Sequence, residues 1–196
     1  MKIGGLAWKR AAMNDDRALV TRIAQGDEHA LHMLYLAYRS RLYRYLWHQL
    51  RGDEQTVADL LQEVFLAIWR TAAQFRGDAQ VATWIFQLAH NHVVRVRSRA
   101  HHSADMPLDD MSEQVQLVAS AEDEVVGRLT LLDALKQMSP KQREVLELIY
   151  LQGFSLEEVA RIVAVPVGTV KSRVNTARQH LFRALSLADV HEENHS

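Results

Sequence analysis

The chain of 196 residues carries 23 lysine and arginine residues against 24 aspartate and glutamate residues, and 48% of its residues are hydrophobic. This composition is typical of a globular protein with one domain or two small ones. The absence of cysteine excludes a disulfide-stapled scaffold, thiolate zinc sites and a cysteine nucleophile. The N-terminal residues contain no apolar signal region, and no apolar run is long enough to span a bilayer. We therefore expect a soluble, cytoplasmic protein without membrane insertion.

The near-neutral total charge hides two basic stretches that flank an acidic one. Trp84 to Ala100 contains three arginines and no acid, and Val159 to Ala188 contains five basic residues and no acid. Between them, residues 105–124 contain seven acids and no lysine or arginine. Basic stretches of this kind suggest contact with a polyanion, although either stretch alone is also compatible with a solvated helix face.

The first half of the chain is predicted to be helical throughout, because its apolar residues recur at helical spacing and strand-like alternation is missing. Gly26 and Gly52 are expected to end the first two helices. The predicted helices run from Asp15 to Gln25, Glu28 to Arg51, Asp53 to Ala73 and Ala79 to Arg99.

Residues 101–121 lack a clear helical period and hold Pro107, several serines and several acids. Because an irregular stretch of this length is unusual inside a compact domain, it is predicted to be a flexible acidic linker. A long loop within one domain is the alternative interpretation.

A second helical block follows the predicted linker, beginning with a helix over 122–138. Ser139, Pro140 and Gln142 then form a helix-start signal, and Ser155 with Glu158 forms a second capping box. Pro166 is expected to open the last helix. Its buried face is predicted at Val170, Val174, Ala177, Leu181 and Ala184, and its outer face at Lys171, Ser172, Asn175, Arg178 and Gln179.

The two helices on either side of Ala164 and Val165 have the pattern of a helix-turn-helix. A short capped helix, a tight turn and an amphipathic helix with basic and amide side chains outward suit insertion into the major groove of DNA. An ordinary helical hairpin is the alternative. The fold class predicted is all-α, with two small helical domains joined by the linker and the helix-turn-helix in the second.

Several of these motifs resemble those of bacterial sigma factors of the extracytoplasmic-function (ECF) group. In the second block they are Pro166-Val-Gly-Thr-Val-Lys-Ser-Arg173, Ser139-Pro-Lys-Gln-Arg-Glu-Val-Leu146 and Gly153-Phe-Ser-Leu-Glu-Glu-Val-Ala160. In the first block they are Asp59-Leu-Leu-Gln-Glu-Val-Phe-Leu-Ala-Ile-Trp69, Phe75-Arg-Gly-Asp78 and Thr83-Trp-Ile-Phe-Gln-Leu-Ala-His-Asn91.

The resemblance implies a domain order for the whole chain. A short N-terminal extension (1–13) precedes a promoter-melting and core-binding domain (14–100). The linker (101–121), a helix-turn-helix domain (122–188) and a C-terminal tail (189–196) follow.

The resemblance also implies roles for individual residues. Contact with core RNA polymerase is assigned to Asp59, Gln62, Glu63, Leu66, Trp69 and Arg70. Contact with the melted minus-ten element is assigned to Phe75, Arg76, Gly77, Asp78, Ala79, Trp84, Asn91, Arg95, Arg97 and Arg99. Contact with the minus-thirty-five duplex is assigned to Thr169, Lys171, Ser172, Arg173, Asn175 and Arg178.

The chain departs from the family pattern at several of its positions. Ala164 stands where the family usually has glycine, and a left-handed alanine there would cost about 1 kcal/mol. Asn175 and Thr176 stand where basic or aromatic residues are frequent, and Gln87 and His90 replace commonly basic residues.

The expected function is that of a promoter-specificity subunit with no chemistry of its own. Its expected partners are bacterial core RNA polymerase, promoter DNA and, as for many relatives, an anti-sigma factor, and no cofactor or metal is expected. His90 and His92 lie two residues apart and so point to different helix faces, which disfavours chelation of one ion. The alternatives are a free-standing helix-turn-helix regulator of duplex operators and, more remotely, a nucleic-acid enzyme that uses the histidines.

Overall fold

The computed structural model describes residues 15–50, 52–103 and 138–193. The chain divides into two compact units, of which the first takes most of its residues from the part before Asp105 and the second from the part after it. Every regular element in the described ranges is helical, so the predicted all-α class with two helical units is confirmed. The predicted linker (101–121), apart from 101–103, and the predicted helix over 122–138, apart from Met138, lie outside the described residues.

The N-terminal unit contains four helices in its described part, as the sequence predicts. Helix α1 covers residues 15–23. It is followed by α2 (Glu28–Gln49), α3 (Glu54–Thr71), a 3₁₀ turn (Ala72–Gln74) and α4 (Val81–Ser103). Helix α4 begins two residues after the predicted start and continues through residues 101–103, which were expected to belong to the linker. None of the described helices is long and apolar enough to cross a membrane.

Glycines and aspartates set the ends of these helices. Gly26 and Gly52 follow α1 and α2 with φ of +86° and +75°, a conformation that costs glycine little because it has no Cβ. Asp27 caps α2 by accepting a hydrogen bond from the Ala30 amide, and Asp53 caps α3 by accepting from Thr56. The Thr56 hydrogen bonds hold the pKa of the Asp53 carboxyl below its ordinary value, so the cap is ionised at neutral pH.

Helix α2 packs against both α3 and α4. Its buried residues form one stripe along the helix: Ala30, Leu34, Tyr38, Leu42, Tyr45, Leu46 and Gln49. Two aromatic pairs mark the contacts. The Tyr45 ring lies 5.4 Å from that of Phe86 on α4, and the Tyr35 ring lies 5.0 Å from that of Phe65 on α3. Both neighbouring helices are therefore fixed by a single apolar face of α2.

Helix α1 docks on the same unit through apolar and polar contacts. Leu19, Val20 and Ile23 are buried, and the Tyr38 hydroxyl of α2 donates a hydrogen bond to the Asp16 carboxylate. Burial is the main reason that the pKa of the Asp16 carboxyl and that of the Tyr38 hydroxyl are both raised above their ordinary values. Tyr38 is thus protonated, as its donor role requires.

The C-terminal unit contains α5 (Pro140–Leu146), a π-helical turn (Glu147–Leu151), α6 (Leu156–Ile162) and α7 (Val167–Glu193). Both predicted capping boxes are present. The Ser139 hydroxyl accepts from the Gln142 amide while the Gln142 side chain accepts from the Ser139 amide, and Ser155 and Glu158 bond in the same reciprocal way.

The core of this unit confirms most of the predicted face of α7. Val170, Val174 and Ala177 are buried, and Leu181 packs against a cluster of Met138, Leu146 and Ala177. The side chain of Ala184, also predicted to be core, lies outside the described part of the chain. Helix α7 continues to Glu193, beyond residue 188, where the helix-turn-helix domain was predicted to end.

The turn between α6 and α7 contains a left-handed alanine. Ala164 has φ of +51°, and it is the only non-glycine residue with positive φ in the described ranges. The next amide, that of Val165, donates back to the Ala160 carbonyl over 3.1 Å, which is the hydrogen bond of a Schellman-type helix end. The left-handed conformation therefore closes α6, at the strain that alanine incurs there.

Ala164→Gly should raise the free energy of unfolding of the C-terminal unit by about 0.5–1 kcal/mol, because glycine adopts this φ without steric penalty. Urea unfolding followed by circular dichroism measures the change. Ala160→Gly, within α6, is the matched control and should lower stability by about 1 kcal/mol. A lower unfolding midpoint for Ala164→Gly than for the parent would contradict a strained turn.

Candidate nucleic-acid interface

The turn over residues 75–79 connects the 3₁₀ turn to α4 and is shaped by contacts at two points. The Phe75 ring lies 4.9 Å from the Trp84 ring of α4, tilted by 37°. Gly77 has φ of +77°, and its carbonyl accepts a hydrogen bond from the Arg17 guanidinium of α1. Arg76 and Asp78 flank Gly77 with exposed side chains, while Ala79 is half-buried. The turn thus presents aromatic and charged groups together at one edge of the N-terminal unit.

One side of α4 continues from this turn. Trp84 is half-buried, and Asn91, Arg95 and Arg99 are exposed. Spacings of seven, four and four residues bring these four positions onto one side of the helix. The arrangement combines aromatic surface, an amide and two guanidinium groups, which suits stacking on bases and contact with phosphates.

Arg97 differs from the other predicted contacts on α4. It lies thirteen residues from Trp84, which turns it to the opposite side of the helix. Its Nη2 donates to the Gln49 carbonyl oxygen at 2.6 Å and to Gln49 Oε1 at 3.0 Å. Through Nη2 the guanidinium ties α4 to the last residue of α2, and the phosphate contact expected of Arg97 stays a prediction.

The predicted polymerase contacts form a stripe along α3. Asp59, Gln62, Glu63, Leu66 and Arg70 are exposed, with Leu66 at 51% and Trp69 half-buried. On the other side of the helix Val57, Leu60, Val64, Phe65 and Ile68 are buried. The stripe is therefore solvent-facing surface of a helix whose core face is already occupied.

Glu63 has a partner that the sequence did not indicate. Its Oε2 lies 3.1 Å from Nδ1 of His92 on α4. His92 is thus engaged with a carboxylate of a neighbouring helix. In the part of the chain that the structure describes, no group of three histidine, cysteine or acidic side chains is placed to hold a metal ion.

The outer face of α7 carries the remaining predicted contacts. Lys171, Ser172, Asn175 and Arg178 are exposed, and Thr169 and Arg173 are half-buried. Lys171 and Asn175 lie four residues apart and share one side of the helix, away from the buried Val170 and Val174. A recognition helix likewise exposes polar side chains on the side that its core contacts leave free.

Arg178 is held by a residue of the preceding π-helical turn. Its Nε donates to the Tyr150 hydroxyl at 3.0 Å, Nη2 donates to the same oxygen, and the guanidinium carbon lies 5.8 Å from the ring centroid. Tyr150 is 56% exposed. The Arg178 guanidinium is therefore held at the surface in a fixed direction by this contact.

The sequence does not predict the contacts of three residues that shape these surfaces: Arg17, His92 and Tyr150. Each acts on a residue far away in the chain, at separations of 60, 29 and 28 residues. Neither periodicity nor capping patterns carry information about such pairs.

Comparison with known proteins agrees with the two-unit arrangement. The family described as Sigma-70 region 2 matches residues 34–102, and that described as Sigma-70, region 4 matches residues 128–181. The RNA polymerase sigma-H factor of Pseudomonas aeruginosa is 30% identical over 184 residues, covering 87% of this chain and 93% of that protein. The ECF RNA polymerase sigma factor SigM of Mycobacterium tuberculosis is 31% identical over 176 residues, covering 90% of this chain and 87% of that protein.

Solved structures give the same result. The sigma factor RpoE from Bartonella quintana, solved with the anti-sigma factor NepR, is 26% identical with a TM-score of 0.60, over 79% of this chain and 96% of that chain. CnrH in complex with the cytosolic domain of CnrY has a TM-score of 0.64 at 21% identity, over 88% of this chain and 98% of that chain, which shows likeness of fold. With both sigma-70 regions matched in order and full-length ECF relatives at this level of identity, the chain belongs to the ECF group of the sigma-70 family of sigma factors.

Proposed function

We propose that this sigma factor, which directs transcription initiation by RNA polymerase, divides its contacts between its two units. The N-terminal unit docks on core polymerase through α3 and reads the melted minus-ten element through the 75–79 turn and α4. The C-terminal unit reads the minus-thirty-five duplex through α7. The observation that carries this proposal is the exposed face of α7, where Lys171 and Asn175 project away from the side that buries Val170 and Val174.

Capture of a melted base is the task proposed for the 75–79 turn. Extruding a base costs a few kcal/mol in lost stacking and pairing. Phe75 and Trp84 supply aromatic surface against which a base is stacked, an interaction worth about 1–3 kcal/mol per base. Asn91 offers both donor and acceptor groups to a base edge, and Arg95 and Arg99 attract the phosphates of the unpaired strand.

Docking on polymerase is proposed for the exposed stripe of α3. Leu66 and the half-buried Trp69 supply apolar area, while Asp59, Gln62 and Arg70 supply polar contacts at the rim. This combination of an apolar centre with a polar border is typical of protein interfaces. Because the buried face of α3 is occupied by its own core, docking requires no local unfolding.

Duplex reading is proposed for α7. A lysine and an asparagine at successive turns of a helix reach base edges in the major groove, whereas Arg178, Arg173 and the hydroxyls of Thr169 and Ser172 suit the backbone. The factor is proposed to perform no chemistry of its own and to need no cofactor or metal. It is proposed to act in the cytoplasm with core polymerase and to be held inactive by an anti-sigma factor, a proposal supported by the relative that was solved in complex with the anti-sigma factor NepR.

Leu66→Ala should weaken binding to core polymerase about fivefold, because docking then buries less apolar area, a loss of about 1 kcal/mol. Fluorescence anisotropy of the labelled factor titrated with core polymerase gives the dissociation constant. Leu36→Ala on α2 is the matched control, since Leu36 is 47% exposed against 51% for Leu66, and it should bind like the parent. Equal losses for the two variants would contradict docking through α3.

Asn175→Ala and Arg178→Ala should change promoter binding in different ways. The first should relax base preference by about 1–3 kcal/mol at one or two upstream positions, since an amide contact to a base edge is lost. The second should weaken binding to every sequence and reduce the slope of log affinity against log salt by about 1, since one phosphate contact is lost. Binding of the holoenzyme to promoters randomised in the upstream element, at several salt concentrations, measures both effects.

Tyr150→Phe is the control for the second variant. It removes the hydroxyl that holds Arg178 but leaves the charge, so the salt slope should stay that of the parent. If Asn175→Ala leaves every upstream preference intact, α7 does not read bases at that position.

A further inference from the structure

We infer that Arg17 of α1 is a positioning residue for minus-ten recognition, because it holds the 75–79 turn in the shape that receives a base. The inference rests on the function proposed for that turn. Arg17 lies 60 positions before Gly77 in the sequence. Its helix, α1, contains none of the residues proposed to contact polymerase or DNA.

The contact is between a side chain and the centre of the turn. The Arg17 guanidinium donates to the carbonyl oxygen of Gly77. The guanidinium also occupies the space next to Gly77 that a side chain would take: a Cβ added to Gly77 would lie 2.9 Å from Nη2 and 3.2 Å from Cζ of Arg17. The φ of +77° favours glycine at this position, and a larger residue would also displace the Arg17 guanidinium from its contact with the turn.

Helix α1, which carries Arg17, is packed against the rest of the N-terminal unit on both sides of this residue. On one side of Arg17, Asp16 accepts the hydrogen bond from the buried Tyr38 of α2. On the other, Leu19 and Val20 are buried in the unit's core. Because Arg17 extends from a docked helix, its side chain loses less conformational entropy when it forms the contact with Gly77.

The turn is consequently anchored at three places. Phe75 rests on Trp84 at its start, Arg17 holds its centre, and the buried Val81 begins α4 just after it. Arg76 and Asp78 lie on either side of the held carbonyl with exposed side chains. A turn already ordered in this way does not have to be ordered when a base enters, which favours capture and sharpens the choice of base.

The test is transcription by reconstituted holoenzyme from a promoter library randomised in the minus-ten element, with sequencing of the transcripts. Arg17→Ala should lower the preference for the favoured base at the position read by the turn roughly threefold to tenfold, the range expected for loss of one solvent-exposed hydrogen bond. Preferences in the upstream element and affinity for core polymerase should not change. A factor that merely loses stability would transcribe less from all promoters without changing their ranking.

Arg22→Ala is the matched control. Arg22 is another exposed arginine of α1, and it pairs with Asp27 at 2.7 Å rather than with the turn. It should leave the minus-ten ranking unchanged. Gly77→Ala should alter the same position as Arg17→Ala, and the double variant should be no worse than Gly77→Ala alone, since both substitutions remove one contact.

An Arg17→Ala ranking identical to that of the parent would overturn the inference, as would additive effects of Arg17→Ala and Gly77→Ala. Asp78→Ala separates the inference from the function on which it rests. If Asp78→Ala and Gly77→Ala both alter the ranking and Arg17→Ala does not, the turn reads the base without help from Arg17. If none of the three alters the ranking, the proposed function of the turn is itself wrong.

Discussion

The arrangement of the N-terminal unit depends on the apolar stripe of α2. This one helix buries tyrosine and leucine side chains against α3 and α4 together, and the Tyr45 ring makes a tilted contact with that of Phe86. Because interiors are close-packed and resist small displacements, α3 and α4 are held in one geometry relative to α2. The surface proposed to bind polymerase and the surface proposed to bind the melted strand are therefore parts of one rigid set of helices.

Polar contacts complete that geometry where the apolar stripe ends. Arg97 bonds to both oxygens of Gln49 at the C-terminus of α2, and Glu63 meets His92 across the α3–α4 boundary. Glu63 belongs to the stripe of α3 proposed to dock on polymerase, and His92 is next in sequence to Asn91, which is proposed to contact DNA. Interactions of this kind are individually modest, but each fixes the direction of a helix face that function requires.

The sequence predicts features that depend on residues close together in the chain better than those that depend on residues far apart. The helix-turn-helix was predictable because its signals are local: Ser139 with Gln142 and Ser155 with Glu158 lie three residues apart, and the buried face of α7 follows from periodicity. The exposed stripes of α3 and α7 follow from the same periodicity. The left-handed Ala164 was foreseeable only because a family pattern suggested glycine there.

The arginines show what local patterns do not contain. Arg95, Arg97 and Arg99 look alike in the sequence, yet Arg97 contacts Gln49, 48 residues earlier, while the other two are exposed. Arg178 is directed by Tyr150, and Arg17 by its contact with Gly77. A sequence gives the number of positive charges on a helix, but the tertiary structure decides which of them remain available to nucleic acid.

The proposal that this chain directs core RNA polymerase to promoters is tested most directly by transcription with and without the chain, from a library randomised over both promoter elements. The account predicts two enriched elements at a fixed spacing, both present only when the chain is added. Identical transcripts with and without the chain would contradict it. So would selection of a palindromic duplex by the chain alone in the absence of polymerase, which is the behaviour of a free-standing regulator.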